Sequence, residues 1–298
     1  MPERLPTYGG QAVIEGVMMR GSNNAAVAMR SPDGQIVLHT EPLPPLYRSR
    51  VTKTPFLRGV VVLWDALSLG MRILTLSANL QTGDEEKLEG SKLFLTLGIS
   101  LAFGIALFFL LPAGLGFAFE KWLVPAFRIP ETTAAWWGNV MEGILRLALL
   151  IGYIGLIGRM AEIQRVFAYH GAEHKTINAF EGQAELTPEN VSRFSLEHPR
   201  CGTSFLLTLV VISVIFFSLL GPLPLGLRLL SRVLMLPVVA ALAYEYIRWT
   251  ANHLSSPIVR WLIKPNLALQ RLTTREPSLE MLEVSIAAFN AMREKEGV

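Results

Sequence analysis

The chain has 298 residues, 51% of them hydrophobic and only 17% charged, with a mean hydropathy of +0.39. A soluble domain carries about 25% charged residues, and here the deficit is concentrated in long uncharged stretches, which speaks against an ordinary soluble protein and for lipid-facing helices. The net charge of +3 is accounted for by basic residues flanking membrane spans and meeting anionic headgroups, so no nucleic-acid partner is expected. The single cysteine, Cys201, excludes an intramolecular disulfide framework.

The first 50 residues are rich in Gly, Pro and charge, with no apolar core of a secretory signal, so the N-terminus is expected in the cytoplasm. Gly9-Gly10-Gln11-Ala12-Val13-Ile14-Glu15-Gly16 reads as a strand or loop with close backbone approaches. Ala25–Arg30 and Gln35–Thr40 flank Ser31-Pro32-Asp33-Gly34; Pro followed by Asp-Gly between short alternating segments predicts a hairpin. Residues 1–54 thus form a cytoplasmic β-rich segment. Over 55–91, Arg58, Asp65, Ser68, Arg72 and Thr75 recur at helical spacing, while Val60, Leu63, Leu67 and Leu74 fall elsewhere on the wheel. This predicts an amphipathic helix lying in the interface or packed under a bundle.

Residues 92–249 read as a membrane domain of about four spans, each needing roughly 20 apolar residues. The spans are Leu93–Phe119, Val140–Ile157, Gly202 to about Leu225, and about Leu229 to Trp249, the last after a turn at Gly221-Pro-Leu-Pro-Leu-Gly226. Trp136 and Trp137 mark one interface. Arg48, Arg50, Lys53, Arg58, Arg72, Lys87 and Lys92 precede span one. Arg159, Arg165, Lys175, Arg193 and Arg200 lie in the 159–202 loop, and Arg260, Lys264, Arg271 and Arg275 in the 250–298 tail. The loop after span one holds only Lys121 and Arg128, so the positive-inside rule predicts a multi-pass membrane protein with both termini and the 159–202 loop cytoplasmic. Glu142 and Arg146, four apart, read as an intrahelical pair. Beyond Pro277, Leu279, Leu282, Ile286 and Phe289 predict a cytoplasmic amphipathic helix. The fold class is therefore mainly α: a polytopic helix bundle with a small N-terminal β-hairpin region and amphipathic helices.

The candidate chemistry lies in the 159–202 loop. In Tyr169-His170-Gly171-Ala172-Glu173-His174-Lys175 the two histidines are four apart, so on a helix both project from one face. Two imidazoles so placed can share a transition metal, with Glu173 as general base, and H-x-x-E-H is also the inverted zincin pattern. Glu197-His198-Pro199-Arg200-Cys201-Gly202 adds His198 and Cys201 as further ligands, and Glu245 on span four is a candidate to complete the shell. This donor set suits Zn²⁺. Cys201 as a nucleophile paired with His198 or His174 ranks below ligation. Thr187-Pro188 reads as a helix start. Lys175 and Arg200 are open to an anion but are equally explained as basic flanks. His39 and His253 read as isolated surface histidines. No P-loop, dinucleotide fingerprint or nucleophile elbow is present.

Four stretches carry a resemblance: Gly9 to Gly21, His170 to Ile177, His198 to Phe205, and Leu272 to Pro277. On them the chain resembles the YqhQ-like family of bacterial membrane proteins, described as metal-dependent enzymes of unknown function. The resemblance implies an inner-membrane location and a metal, and brings Glu15, inside the first motif, into the set of candidate ligands. The leading expectation is a metal-dependent hydrolase with a cytoplasm-facing site and a peptide or lipid-linked substrate arriving from the bilayer. The alternatives are a non-enzymatic scaffold or regulator that binds a protein partner and carries a structural metal site, and a transporter or lipid-handling protein. The transporter reading has little support while so few charges lie inside the spans.

Overall fold

A computed structural model of the protein describes residues 8–44, 54–82, 90–128 and 130–297. Arg48, Arg50, Lys53 and Lys87, part of the charge argument, lie outside them. The chain begins with a four-stranded antiparallel meander: β1 (Gly9–Val13), β2 (Gly16–Arg20), β3 (Asn24–Arg30) and β4 (Ile36–Pro42), paired in sequence order. Arg30 faces Ile36 across the Ser31–Gln35 turn, where Gly34 adopts φ +85°, as the Pro-Asp-Gly signal predicts. The strands do not simply alternate, however. Val17, Met19, Ala26 and Ala28 face one layer, while Met18, Ala25, Val27 and Met29 face another. A sheet covered on both faces reads as a continuous apolar run, and β2 and β3 do so.

Helix α1 (Leu57–Thr82) supplies one cover, with Leu69 and Ile73 packing on Val13, Val27, Met29 and Leu43. Its first half leaves the sheet and meets the apolar bundle, where a Cβ on Gly59 would come within 2.9 Å of the Ala241 backbone. The other cover is α6 (Ala161–Glu181) with α13 (Leu279–Glu296). Helix α13 buries Leu282, Val284, Ile286, Ala288, Phe289 and Met292 and exposes Glu283, Asn290 and Glu294 at helical spacing, a broad apolar face with a narrow polar one. Only Leu279 of the predicted stripe is exposed. Thr187 caps the short α7 (Pro188–Val191), accepting a hydrogen bond from Asn190 N, as read from the sequence.

Among the described residues, three helical runs are long and apolar enough to cross a membrane: Leu93–Trp122, Thr133–Ile157 and Gly202–Leu219. The first comprises α2 (Gly90–Ile105), α3 (Leu111–Ala118) and two single wide turns, Ala106–Leu110 and Phe119–Leu123; α4 (Val124–Ala126) follows. The second is α5 (Glu131–Ile157) and the third α8 (Gly202–Leu219). The fourth expected span is broken. Helix α9 (Leu225–Leu234) and helix α10 (Leu236–Asn252) meet at 49° and count as one span only if taken together. Pro237 explains the break, because it brings no N–H to the carbonyl four residues back. Helices α11 (Pro257–Leu262) and α12 (Lys264–Thr273) return the chain to α6.

A buried charge cluster lies among these apolar helices. The expected Glu142–Arg146 pair is present at 2.7 Å, but Glu142 also accepts from Arg232 Nε (2.9 Å), Arg232 Nη2 (2.7 Å) and Arg228 Nη2 (3.4 Å). Arg228 in turn reaches Glu120 at 2.7 Å. Arg146 Nε donates to Phe108 O at 2.8 Å. That carbonyl lies four residues before Pro112, which has no N–H to offer it. The charges inside the apolar helices are therefore more numerous than the sequence reading allows, since α9 brings two arginines that its apolar neighbours disguise.

Candidate metal centre

Helix α6 carries the centre because its second half is buried from Ala168 to Ile177, with His170 alone half-buried. His170 and His174 stack one turn apart, ring centroids 4.4 Å from each other. His170 Nδ1 lies 2.9 Å from Thr273 O, and His174 Nδ1 is hydrogen-bonded to Leu196 O. A carbonyl only accepts, so each Nδ1 carries a proton, and in the neutral ring each Nε2 then presents its lone pair. This is the orientation that backbone carbonyls impose on metal-ligating histidines.

Cys201 caps the start of α8, and its Sγ lies 3.2 Å from His170 Nε2 and 3.1 Å from Thr203 Oγ1. The ligand atoms of His170, His174 and Cys201 all fall within 4.8 Å of one another. His174 Nε2 is buried and has no hydrogen-bond partner. A buried lone pair without a partner is costly, and a cation shared with the neighbouring sulfur and imidazole would satisfy it.

The other candidates take different places. His198 packs near His174, ring centroids 5.8 Å apart, outside the three-residue cluster. Its Nε2 is buried, unpartnered and 3.7 Å from the Glu181 carboxylate. Burial, with Arg200 beside it, holds the His198 imidazole below its ordinary pKa and therefore neutral. Glu181 is raised by burial, but His198 and Arg200 outweigh this and hold it below the usual carboxylate range. Gln270 fixes the His198 backbone, accepting from its N–H and donating to its carbonyl, both at 2.9 Å.

Glu15 sits in the β1–β2 turn at φ 52° and pairs with Arg165 at 2.5 Å and the Tyr169 hydroxyl at 3.3 Å. It anchors the strand turn to α6 and lies outside the cluster. The hydrogen bond from Arg165 lowers its pKa. Glu245 is likewise engaged elsewhere, by the Arg58 guanidinium and the Phe56 N–H. The family motif put Glu15 among the candidates and its place on span four put Glu245 there, but α6 and α1 supply them with nearer cations.

Glu173, next to His174, is 5% exposed and faces β1. Burial pushes its carboxyl up to about 7, against the pull of His170 and a hydrogen bond from the Gly10 backbone. A Cβ on Gly10 would lie 2.8 Å from Glu173 Cγ, so only glycine lets the strand approach this closely. Lys175 is spoken for by Ser192 O, Phe194 O and Glu276, and Arg200 by Glu181, so neither offers a free cation. His39 and His253 lie apart, against Glu41 and Trp249 respectively.

Sequence reasoning missed the Thr273 and Leu196 carbonyls, Gly10 and Gln270. Gly10 and Thr273 do fall inside the motif stretches, which is the one signal that pointed to them. The fold and site define a mainly helical protein in which a His–Cys cluster sits where a sheet-backed helical layer meets apolar helices. A family profile described as "Protein of unknown function (DUF1385)" matches residues 54–295, and the chain belongs to that family. It is similar to the "Uncharacterized protein YqhQ" of Bacillus subtilis (strain 168), with 36% identity over 300 residues that cover 96% of this chain and 92% of that protein. No solved structure matches.

Proposed function

We propose that the chain is a multi-pass protein of the bacterial cytoplasmic membrane with a cytoplasm-facing transition-metal centre that serves hydrolysis. The observation that carries the metal is the convergence of three ligand atoms within 4.8 Å, with both imidazoles already turned by backbone carbonyls and the His174 Nε2 buried without a partner. A His₂Cys donor set fits zinc. Membrane placement is supported by the Leu93–Trp122 run, which exposes Phe94, Leu95, Ile99, Leu101 and Phe103. An apolar surface of that size calls for lipid or a partner.

A bound divalent ion supplies Lewis-acid activation of water near neutral pH. The chain's own groups do the rest. His170, His174 and Cys201 would hold the ion, the Cys201 sulfur as thiolate. Glu173, with a pKa near 7, is matched to accept a proton at neutral pH. Its burial against β1 keeps bulk water from solvating the carboxylate.

His198 separates this reading from a structural metal site in a scaffold or regulator. A structural zinc closes its shell with four protein ligands, whereas a catalytic one keeps a position open. The test is elemental analysis of detergent-purified protein. One equivalent of metal is expected in wild type and in His198→Ala, with none in His174→Ala or Cys201→Ser. Loss of metal in His198→Ala supports the structural reading, and metal-free wild type removes both.

A further inference from the structure

Behind the His–Cys cluster lies a cavity of about 330 Å³ whose wall is apolar over nearly all its length. This is within the range of small-ligand pockets. Leu150 and Ile154 of α5 line one side and Leu206 and Val210 of α8 the other, residues one turn apart on each helix. Arg146 and Ser213 close the far end by bonding to each other at 2.7 Å. At about 1.5 Å of rise per residue, the lining from Arg146 to Ile157 runs about 16 Å.

The near end abuts the site through Phe167 and Thr273. Thr273 lines the cavity and its carbonyl orients His170. Phe167, also in the lining, lies one turn before His170 on α6, and Cys201 stands one and a half turns before Leu206 at the start of α8. The exposed Arg275 guanidinium lies over the Phe167 ring, 5.9 Å from its centroid, and Arg275 N donates to Phe167 O. A long apolar slot thus ends at Phe167 and Thr273, the first in contact with the Arg275 cation and the second with the candidate ligand His170.

We infer that this cavity takes one hydrocarbon chain of an anionic phospholipid, with the phosphate at Arg275, and presents the polar end of that lipid to the His170–Cys201 face. Three features select this occupant. The slot lies between helices whose outer faces are suited to lipid, so the molecules at hand are amphiphiles. Arg146 and Ser213 bond to each other and the Thr273 hydroxyl donates to Gln270 O, so beyond the Tyr153 hydroxyl the wall offers little to a peptide backbone. The cation at the mouth matches a phosphate, which arginine binds well. The inference rests on the proposed site for its catalytic meaning, but the lipid pocket stands or falls separately.

The experiment uses the full chain reconstituted in phosphatidylcholine vesicles doped with a phosphatidylglycerol that bears a diazirine on one acyl chain. After illumination, adducts are mapped by mass spectrometry and metal is measured in the same samples. Adducts are expected on the lining segments of α5 and α8, and excess unlabelled phosphatidylglycerol should compete them away in wild type. Val210→Trp should lower them about tenfold, equivalent to about 1.4 kcal/mol of binding. Ile144→Trp, on the outward face of the same α5, should leave them unchanged. Arg275→Ala should weaken labelling by the phosphatidylglycerol probe more than by a phosphatidylcholine analogue, whose choline cation offsets its phosphate, and Arg275→Lys should restore part of it. Adducts spread evenly over outward residues such as Phe94 and Ile215, insensitive to competitor, overturn the inference even if Val210→Trp fails to fold. Adducts in the slot of a protein that binds no metal sink the hydrolase reading and leave the lipid pocket standing.

Discussion

Replacing Glu142 by alanine should be among the most damaging single changes in the protein. Its two oxygens accept from Arg146, Arg228 and Arg232, and all four side chains are nearly or fully buried. Among these residues and Glu120, three guanidinium groups face two carboxylates. Removing Glu142 leaves three cations with one anion, and Arg232 loses both of its carboxylate contacts, since they go only to Glu142. Breaking a buried ion pair by deleting one partner costs about 3–5 kcal/mol, because the remaining charge stays out of water. Glu142→Ala should therefore lower the unfolding free energy by that amount in detergent, followed by tryptophan fluorescence during urea denaturation. Adding Arg232→Met removes the stranded charge, so the double variant should be more stable than the sum of the single costs, with a coupling of about 0.5–3 kcal/mol. A Glu142→Ala variant within about 0.5 kcal/mol of wild type, or strictly additive single costs, would refute the claim that this cluster holds α9 to α5.

Gly171→Ala tests how the imidazoles are aimed without touching a ligand. The new Cβ would lie 2.2 Å from Arg275 O and 2.8 Å from Leu196 Cδ2, displacing the two segments whose carbonyls hold His170 and His174. Metal affinity, read by competitive chelator titration, should fall about 10–100-fold, as for loss of outer-shell support. Gln270→Ala should cost about 1–3 kcal/mol in urea unfolding, because the buried His198 N–H and carbonyl and the Ser204 hydroxyl each lose their partner. Glu296 gives a pH signature. Burial raises its pKa, but hydrogen bonds from the Asn23 and Asn24 backbone N–H groups and side chains outweigh this, so the folded value lies below the ordinary 4.5. Its contribution is complete above that unfolded value and is lost as pH falls through the folded one. Glu296→Gln should flatten the acid limb of the stability curve below about pH 4.5, and an unchanged limb would contradict the assignment.

The parts that local physics governs were legible in the sequence. The Ser-Pro-Asp-Gly turn, the Thr187-Pro188 helix start, three long apolar runs and the i, i+4 pairing of His170 with His174 each depend on a short stretch of chain, where backbone geometry alone decides the outcome. Tertiary packing decided the rest. It set Cys201, rather than His198, against His170, brought Thr273 to His170 across 103 positions, and turned Glu15 and Glu245 toward Arg165 and Arg58. It also gathered Arg228 and Arg232 onto Glu142. A charge on an apolar helix has no periodicity that names its partner. The partner is fixed only when helices far apart in sequence pack together and water is no longer there to satisfy the charge.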